Sequence, residues 1–143
     1  MHPAYGGNHA NSYLAQRISN ANPEELAGML LGGAERFLTQ AVAAIRREDH
    51  TEKARLLSRA SEVMQRLLTM LNPEGDHQLV DRLHGIYIWW IKEMFEGSRR
   101  NRPEQIELVV RQMAALRSGW EELSARQARA QAALPLPVEG LVG

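Results

Sequence analysis

Five histidines, at positions 2, 9, 50, 77 and 84, are the side chains from which a metal site would have to be built in a chain without cysteine. Ligation needs donors converging on one point, as in His-Glu-x-x-His, where two rings share a helix face. No such spacing occurs here. Acid–base chemistry would need two carboxylates turned toward each other. Glu24-Glu25, Glu48-Asp49 and Glu121-Glu122 are sequence neighbours, which diverge by about 100° around a helix, so they read as charges placed at helix ends. Gly6-Gly7 and Gly32-Gly33 lack the Lys-Ser/Thr partner of a phosphate loop, and there is no Gly-x-Ser-x-Gly elbow. The Glu-x-x-His carboxylate motif of di-iron bundles is missing as well. The residues therefore point to a protein that is not an enzyme and carries no metal or cofactor.

Charge narrows the partners further. Lys+Arg and Asp+Glu each number 17 in 143 residues, so no net field draws the chain to nucleic acid or to an anionic membrane. Arg46-Arg47 and Arg99-Arg100-x-Arg102 fall at predicted helix ends, where cations complement the helix dipole. The opening residues lack a basic stretch followed by an apolar one, and no uncharged apolar run approaches the roughly 20 residues needed to cross a bilayer. The sequence predicts a soluble, cytoplasmic protein.

What remains is association through apolar surface. Residues 86–91 read Ile-Tyr-Ile-Trp-Trp-Ile, and six successive apolar residues point all around a helix. Leu79, Leu83, Ile86, Tyr87, Trp90 and Met94 form one stripe, read as the core face. Val80, Ile88, Ile91 and Phe95 form a second stripe that also holds His84, read as an interfacial polar residue. Trp89 stands apart among Arg82, Gly85, Lys92, Glu93 and Glu96. The second stripe and Trp89 are apolar surface in excess, which on a soluble chain marks a partner site.

The elements that must position this surface are four helices. Asn22-Pro23-Glu24-Glu25 starts the first, which runs to about Arg47 with Leu26, Leu30, Gly33, Phe37, Ala41 and Ala44 on one face. Gly32-Gly33 costs this helix about 1 kcal/mol per glycine relative to alanine, which suggests close packing where the side chains are missing. Helix 2 begins at Thr51-Glu52 and continues to about Leu71, with Leu57, Ser61, Met64, Leu68 and Leu71 as its bundle stripe. Leu56, Val63, Leu67 and Met70 widen its apolar sector past half the circumference and are assigned, like the second stripe of helix 3, to excess surface. Asn72-Pro73-Glu74-Gly75 separates it from helix 3, capped by Asp76 and fading at Gly97. Helix 4 follows Pro103 with one stripe of Ile106, Val109, Val110, Met113, Leu116, Trp120 and Leu123. Short turns predict an all-α, antiparallel, up-down four-helix bundle over residues 22–127, with a flexible N-terminal arm (1–21) and an Ala/Pro-rich tail (128–143) in which helix is not sustained.

With those residues in view, the chain resembles the flagellar export chaperones of the FliS type. The likeness covers roughly Tyr13 to Leu123 and rests on Tyr13 followed by Ile18, Ala21-Asn22-Pro23-Glu24-Glu25-Leu26, Met29-Leu30, Gly33-Ala34, Phe37-Leu38, then Leu83, Ile86-Tyr87, Trp89 and Trp120. It departs from the family pattern at Leu31-Gly32, at Ile88 and Trp89, and in a shorter turn from Leu71 to His77. The resemblance implies a chaperone around which the disordered C-terminal segment of flagellin wraps, preventing premature polymerisation and assisting delivery to the flagellar type III export apparatus. The expected flagellin contacts are Val80, His84, Ile88, Trp89, Ile91 and Phe95, joined by Leu56, Val63 and Met70. Tyr13, Leu14 and Ile18 of the arm are expected either to cover a groove until the client arrives or, at Tyr13, to touch an export-gate protein. The alternative is a non-enzymatic structural module whose excess stripes form a homodimer.

Overall fold

The computed structural model describes residues 12, 13, 15, 16 and 20–134. Four helices account for most of them: α1 (Pro23–Arg46), α2 (His50–Thr69), α3 (His77–Arg99) and α4 (Pro103–Ala133). Each start has a local cause. The Asn22 side chain accepts from the Glu25 amide at 2.7 Å, with Pro23 in the first turn, where its missing N–H is no loss. Asp49 accepts from the Glu52 amide, and Asp76 from the amides of Gln78 and Leu79. The short turns after α1 and α3 reverse the chain through Glu48 and Asn101, which adopt left-handed φ values of 59° and 55°.

Partners across the bundle fix its sense. Asn22 reaches Ser124, Glu35 meets Arg117 and Arg46 meets Glu107, so α4 descends as α1 ascends. Trp90 bonds Gln112 and Glu93 bonds Gln105, which makes α3 and α4 antiparallel in turn. The architecture is the expected four-helix bundle. α1 packs closely on both α2 and α4, whereas α3 lies across from it and touches the same two neighbours more lightly.

The core is made from leucine, alanine and methionine at helical spacing. Leu31, Ala34, Leu38, Ala41 and Ile45 of α1 meet Leu56, Ala60, Met64 and Leu67 of α2, Leu83, Tyr87, Trp90 and Met94 of α3, and Ile106, Val109 and Met113 of α4. Two expectations about its faces need correction. The buried sector of α1 is rotated by roughly 80° from the stripe of Leu26, Leu30 and Phe37, because α1 is flanked on two sides and buries a wider arc. Leu56 and Leu67, assigned to excess surface, are fully buried. The sector of α2 is wide because one side of it packs on α1 and the other on α3. α4 also continues as helix through Ala133, past the point where the Ala-rich tail was expected. Alanine is the strongest helix former, and Glu122 pairs with both Arg126 and Arg129.

The glycines behave differently from expectation too. A Cβ on Gly32 would lie 3.5 Å from Arg36 Nη1 and 3.6 Å from Arg117 Cδ, and one on Gly33 only 3.8 Å from Arg36 Nη2, so no helix presses on either. The tight position is Gly97, where a Cβ would stand 2.9 Å from Cγ1 of buried Ile106 and 3.2 Å from the Arg102 carbonyl. Gly97→Ala overpacks the α3–α4 corner at a cost of about 1–3 kcal/mol. Alanine's helix preference offsets roughly 1 kcal/mol of that. A net lowering of the urea midpoint is expected for Gly97→Ala and a small rise for Gly33→Ala.

Candidate protein-docking surface

On α3 the core stripe is Leu83, Tyr87, Trp90, Met94 and Gly97, spaced four and three residues apart. Every other apolar residue of the helix is left on its flanks. Ile88 (46% exposed) and Phe95 (43%) share one flank with exposed His84 and half-buried Val80 and Ile91, at spacings of four and three. This flank faces α2, since Phe95 lines a groove of about 390 Å³ with Lys53, Ala54, Leu57, Ser61 and Gln65. Trp89 lies about 100° further round. It shares its face with Glu93, which bonds Gln105 of α4, and with Ile86, so these two apolar residues occupy the α4 side.

The expected site residues are thus only partly brought together. Val80, His84, Ile88, Ile91 and Phe95 form one continuous strip, and Trp89 belongs to the opposite flank. Leu56 is removed from the set, being 1% exposed against the core. Val63 lies on Leu56's side of α2, half-buried against the core. Met70 survives by position: it closes the end of the bundle, where it meets Val80. Leu79 and Ile86 were read as core but stand 45% and 40% exposed, and Leu108 and Leu123 of α4 are exposed as well. The missed signal was the spacing Ile86–Trp89, which continues a second surface strip rather than the core stripe. In the arm, Tyr13 is exposed beside Gln16, Asn20, Glu25 and Met29, next to α1 and not over the α2–α3 groove, which does not fit a groove-covering role. Leu14 and Ile18 lie outside the described residues.

At the end of the bundle, Ala27, Leu67, Met70, Leu71, Leu79, Val80 and Leu83 wall an apolar cleft of about 200 Å³ whose lining also includes Tyr87 and Trp120. Trp120 packs against the core as expected, yet its Nε1–H is buried without a hydrogen-bond partner, a state that costs about 1–3 kcal/mol. Burial pushes the Tyr87 phenol up to about 12, with the nearby Trp120 indole partly opposing the shift, although no well-formed hydrogen bond joins the two.

The sign of the resulting pH effect follows directly. Above the ordinary tyrosine value of 10.0 the unfolded chain releases the Tyr87 proton while the folded chain retains it. The contribution is complete below about pH 10 and is lost as pH rises toward about 12. Urea melts at pH 9 and pH 11.5 are expected to show a drop in stability that Tyr87→Phe removes.

Elsewhere the surface is tied down by ion pairs. Arg117 grips Glu35 with two hydrogen bonds, at 2.7 and 3.2 Å, and Glu121 with a third, which raises its hold on its proton above the ordinary arginine value. Among the described residues no cluster of three or more His, Asp or Glu side chains could hold a metal ion, and no helix is long and apolar enough to cross a membrane.

The comparisons with known proteins agree with this geometry. A family model described as flagellar protein FliS matches residues 6–127. The flagellar secretion chaperone FliSB of Pseudomonas aeruginosa is 29% identical over 108 residues, covering 76% of this chain and 86% of that protein. The flagellar secretion chaperone FliS of Campylobacter jejuni is 26% identical over 121 residues, covering 85% and 94%. That of Vibrio cholerae is 22% identical over 107 residues, covering 75% and 79%. A match that spans nearly the whole bundle, on a helical protein with its apolar residues spilling onto both flanks of α3, places this chain in the FliS family of flagellar proteins.

Proposed function

We propose that this protein is a cytoplasmic export chaperone that holds the disordered C-terminal segment of flagellin, keeps it from polymerising and assists its delivery to the flagellar type III export apparatus. It works by binding, without catalysis. The observation that carries the reading is the exposure of Ile86, Ile88, Trp89 and Phe95 on a single helix whose core stripe is already complete. A disordered client loses chain entropy when it orders, so its holder must offer enough apolar surface to offset that loss. The α2-facing strip of Val80, His84, Ile88, Ile91 and Phe95 is one bed for a client helix, and the Ile86–Trp89 strip on the α4 side is a second. Met70 extends the first bed to the end cleft. Tyr13, exposed beside α1, is left free to contact an export-gate protein.

Calorimetry of the full chain with a peptide of the flagellin C-terminal segment is the test. One-to-one binding with a negative heat-capacity change, accompanied by altered Trp89 fluorescence, is expected. Absence of heat at several temperatures together with unchanged fluorescence overturns the reading. So does a tight homodimer in sedimentation that buries the α3 flanks and ignores the peptide.

A further inference from the structure

The end cleft combines three properties that the flanks of α3 lack. It is concave, it is apolar on nearly all sides, and its lining holds one buried donor, Trp120 Nε1–H, that no protein group satisfies. Its volume of about 200 Å³ suits one bulky side chain, since an apolar cavity of roughly 150 Å³ accepts a benzene ring. An empty apolar cleft of this size forgoes contacts that a fitted group would supply. The unpaired N–H adds a directional demand, for it rewards an occupant that brings a hydrogen-bond acceptor. Val80 and Met70 join the cleft to the α2-facing strip of α3, so a segment lying along that strip runs into it.

We propose that the cleft is an anchor pocket for a single bulky apolar residue of the client segment, whose backbone carbonyl accepts a hydrogen bond from Trp120 Nε1–H. The assignment rests on the chaperone reading above and adds to it a specific pocket and the chemistry of the residue that fills it. A ring or branched aliphatic group satisfies the walls. A charged or small residue does not.

The three indole N–H groups, of Trp89, Trp90 and Trp120, give separate signals in nitrogen–proton correlation spectra of the full chain. On adding the flagellin C-terminal peptide, both the Trp89 and the Trp120 signals are expected to move, the latter downfield as its hydrogen bond forms. N-acetyl-leucine amide at millimolar concentration is expected to move Trp120 alone. Val80→Phe, which fills the cleft from its wall, is expected to weaken peptide binding about tenfold while the Trp89 response persists. If Trp89 moves and Trp120 does not, or if Val80→Phe binds with unchanged affinity, the pocket is overturned while the chaperone reading stands. If the peptide moves neither signal, both are overturned. If Trp120 Nε1–H responds only to exchange with solvent, the cleft holds water and the anchor role is overturned.

Discussion

Ile88→Asp weakens binding of the flagellin C-terminal peptide by about 10- to 100-fold and leaves the circular-dichroism spectrum unchanged. Ile88 is 46% exposed on the α2-facing flank of α3, so its replacement removes little from the folded protein alone. In the complex, covering an isoleucine side chain contributes roughly 1.5–3 kcal/mol, and each 1.4 kcal/mol is a factor of ten in affinity. Aspartate forfeits that contribution and must in addition be stripped of water beneath an apolar client. Calorimetry measures the loss. Unchanged affinity would remove this flank from the client's path, and an unfolded spectrum would show that Ile88 supports the bundle after all. Ile91→Asp makes a weaker probe, because Ile91 is partly packed against the core and its substitution acts on stability as well.

Leu56→Ala gives the opposite pattern. At 1% exposure among Leu57, Ala60 and the α1 core, Leu56 leaves a cavity when truncated, and such truncations cost about 2–5 kcal/mol. Small domains have only about 5–15 kcal/mol to lose, so the urea midpoint should fall sharply. Peptide affinity measured at low temperature, where the variant remains folded, should hardly change. The pair of variants separates two roles that the hydrophobic pattern of α2 and α3 leaves mixed. A large affinity loss in Leu56→Ala without a stability loss would contradict the buried position of this residue.

Helix limits were legible because they depend on local chemistry. Asn22-Pro23 and Asp76 act as caps by hydrogen bonds within their own turn, and the short connections force neighbours to be antiparallel. Which face of each helix is buried depends instead on how many neighbours the helix has. For α2 the second stripe seemed superfluous on the assumption of one packing face, but with α1 on one side and α3 on the other, Leu56, Leu57, Ala60, Met64 and Leu67 are all used. For α3 the reverse holds. Its lighter contacts bury a narrower arc than its apolar residues cover, so Leu79 and Ile86 emerge on the surface. Trp120 illustrates the same limit at atomic scale. Its phase with Ile106 and Met113 placed it toward the interior, but nothing in that phase could show that its N–H would end without an acceptor at the edge of a cleft.

The unequal attachment of the helices also bears on motion. α1 is held on both sides and stitched to α4 by the Arg117–Glu35 and Arg46–Glu107 pairs, while α3 rests on two neighbours through a narrow seam. Local opening follows such differences in attachment, so backbone amides midway along α3 should trade deuterium sooner than their counterparts in α1. A guest laid along both flanks would close that seam from outside and slow the exchange. The loosest helix of the empty protein would then gain most protection in the complex, with the passenger acting as the missing fifth stave of the barrel.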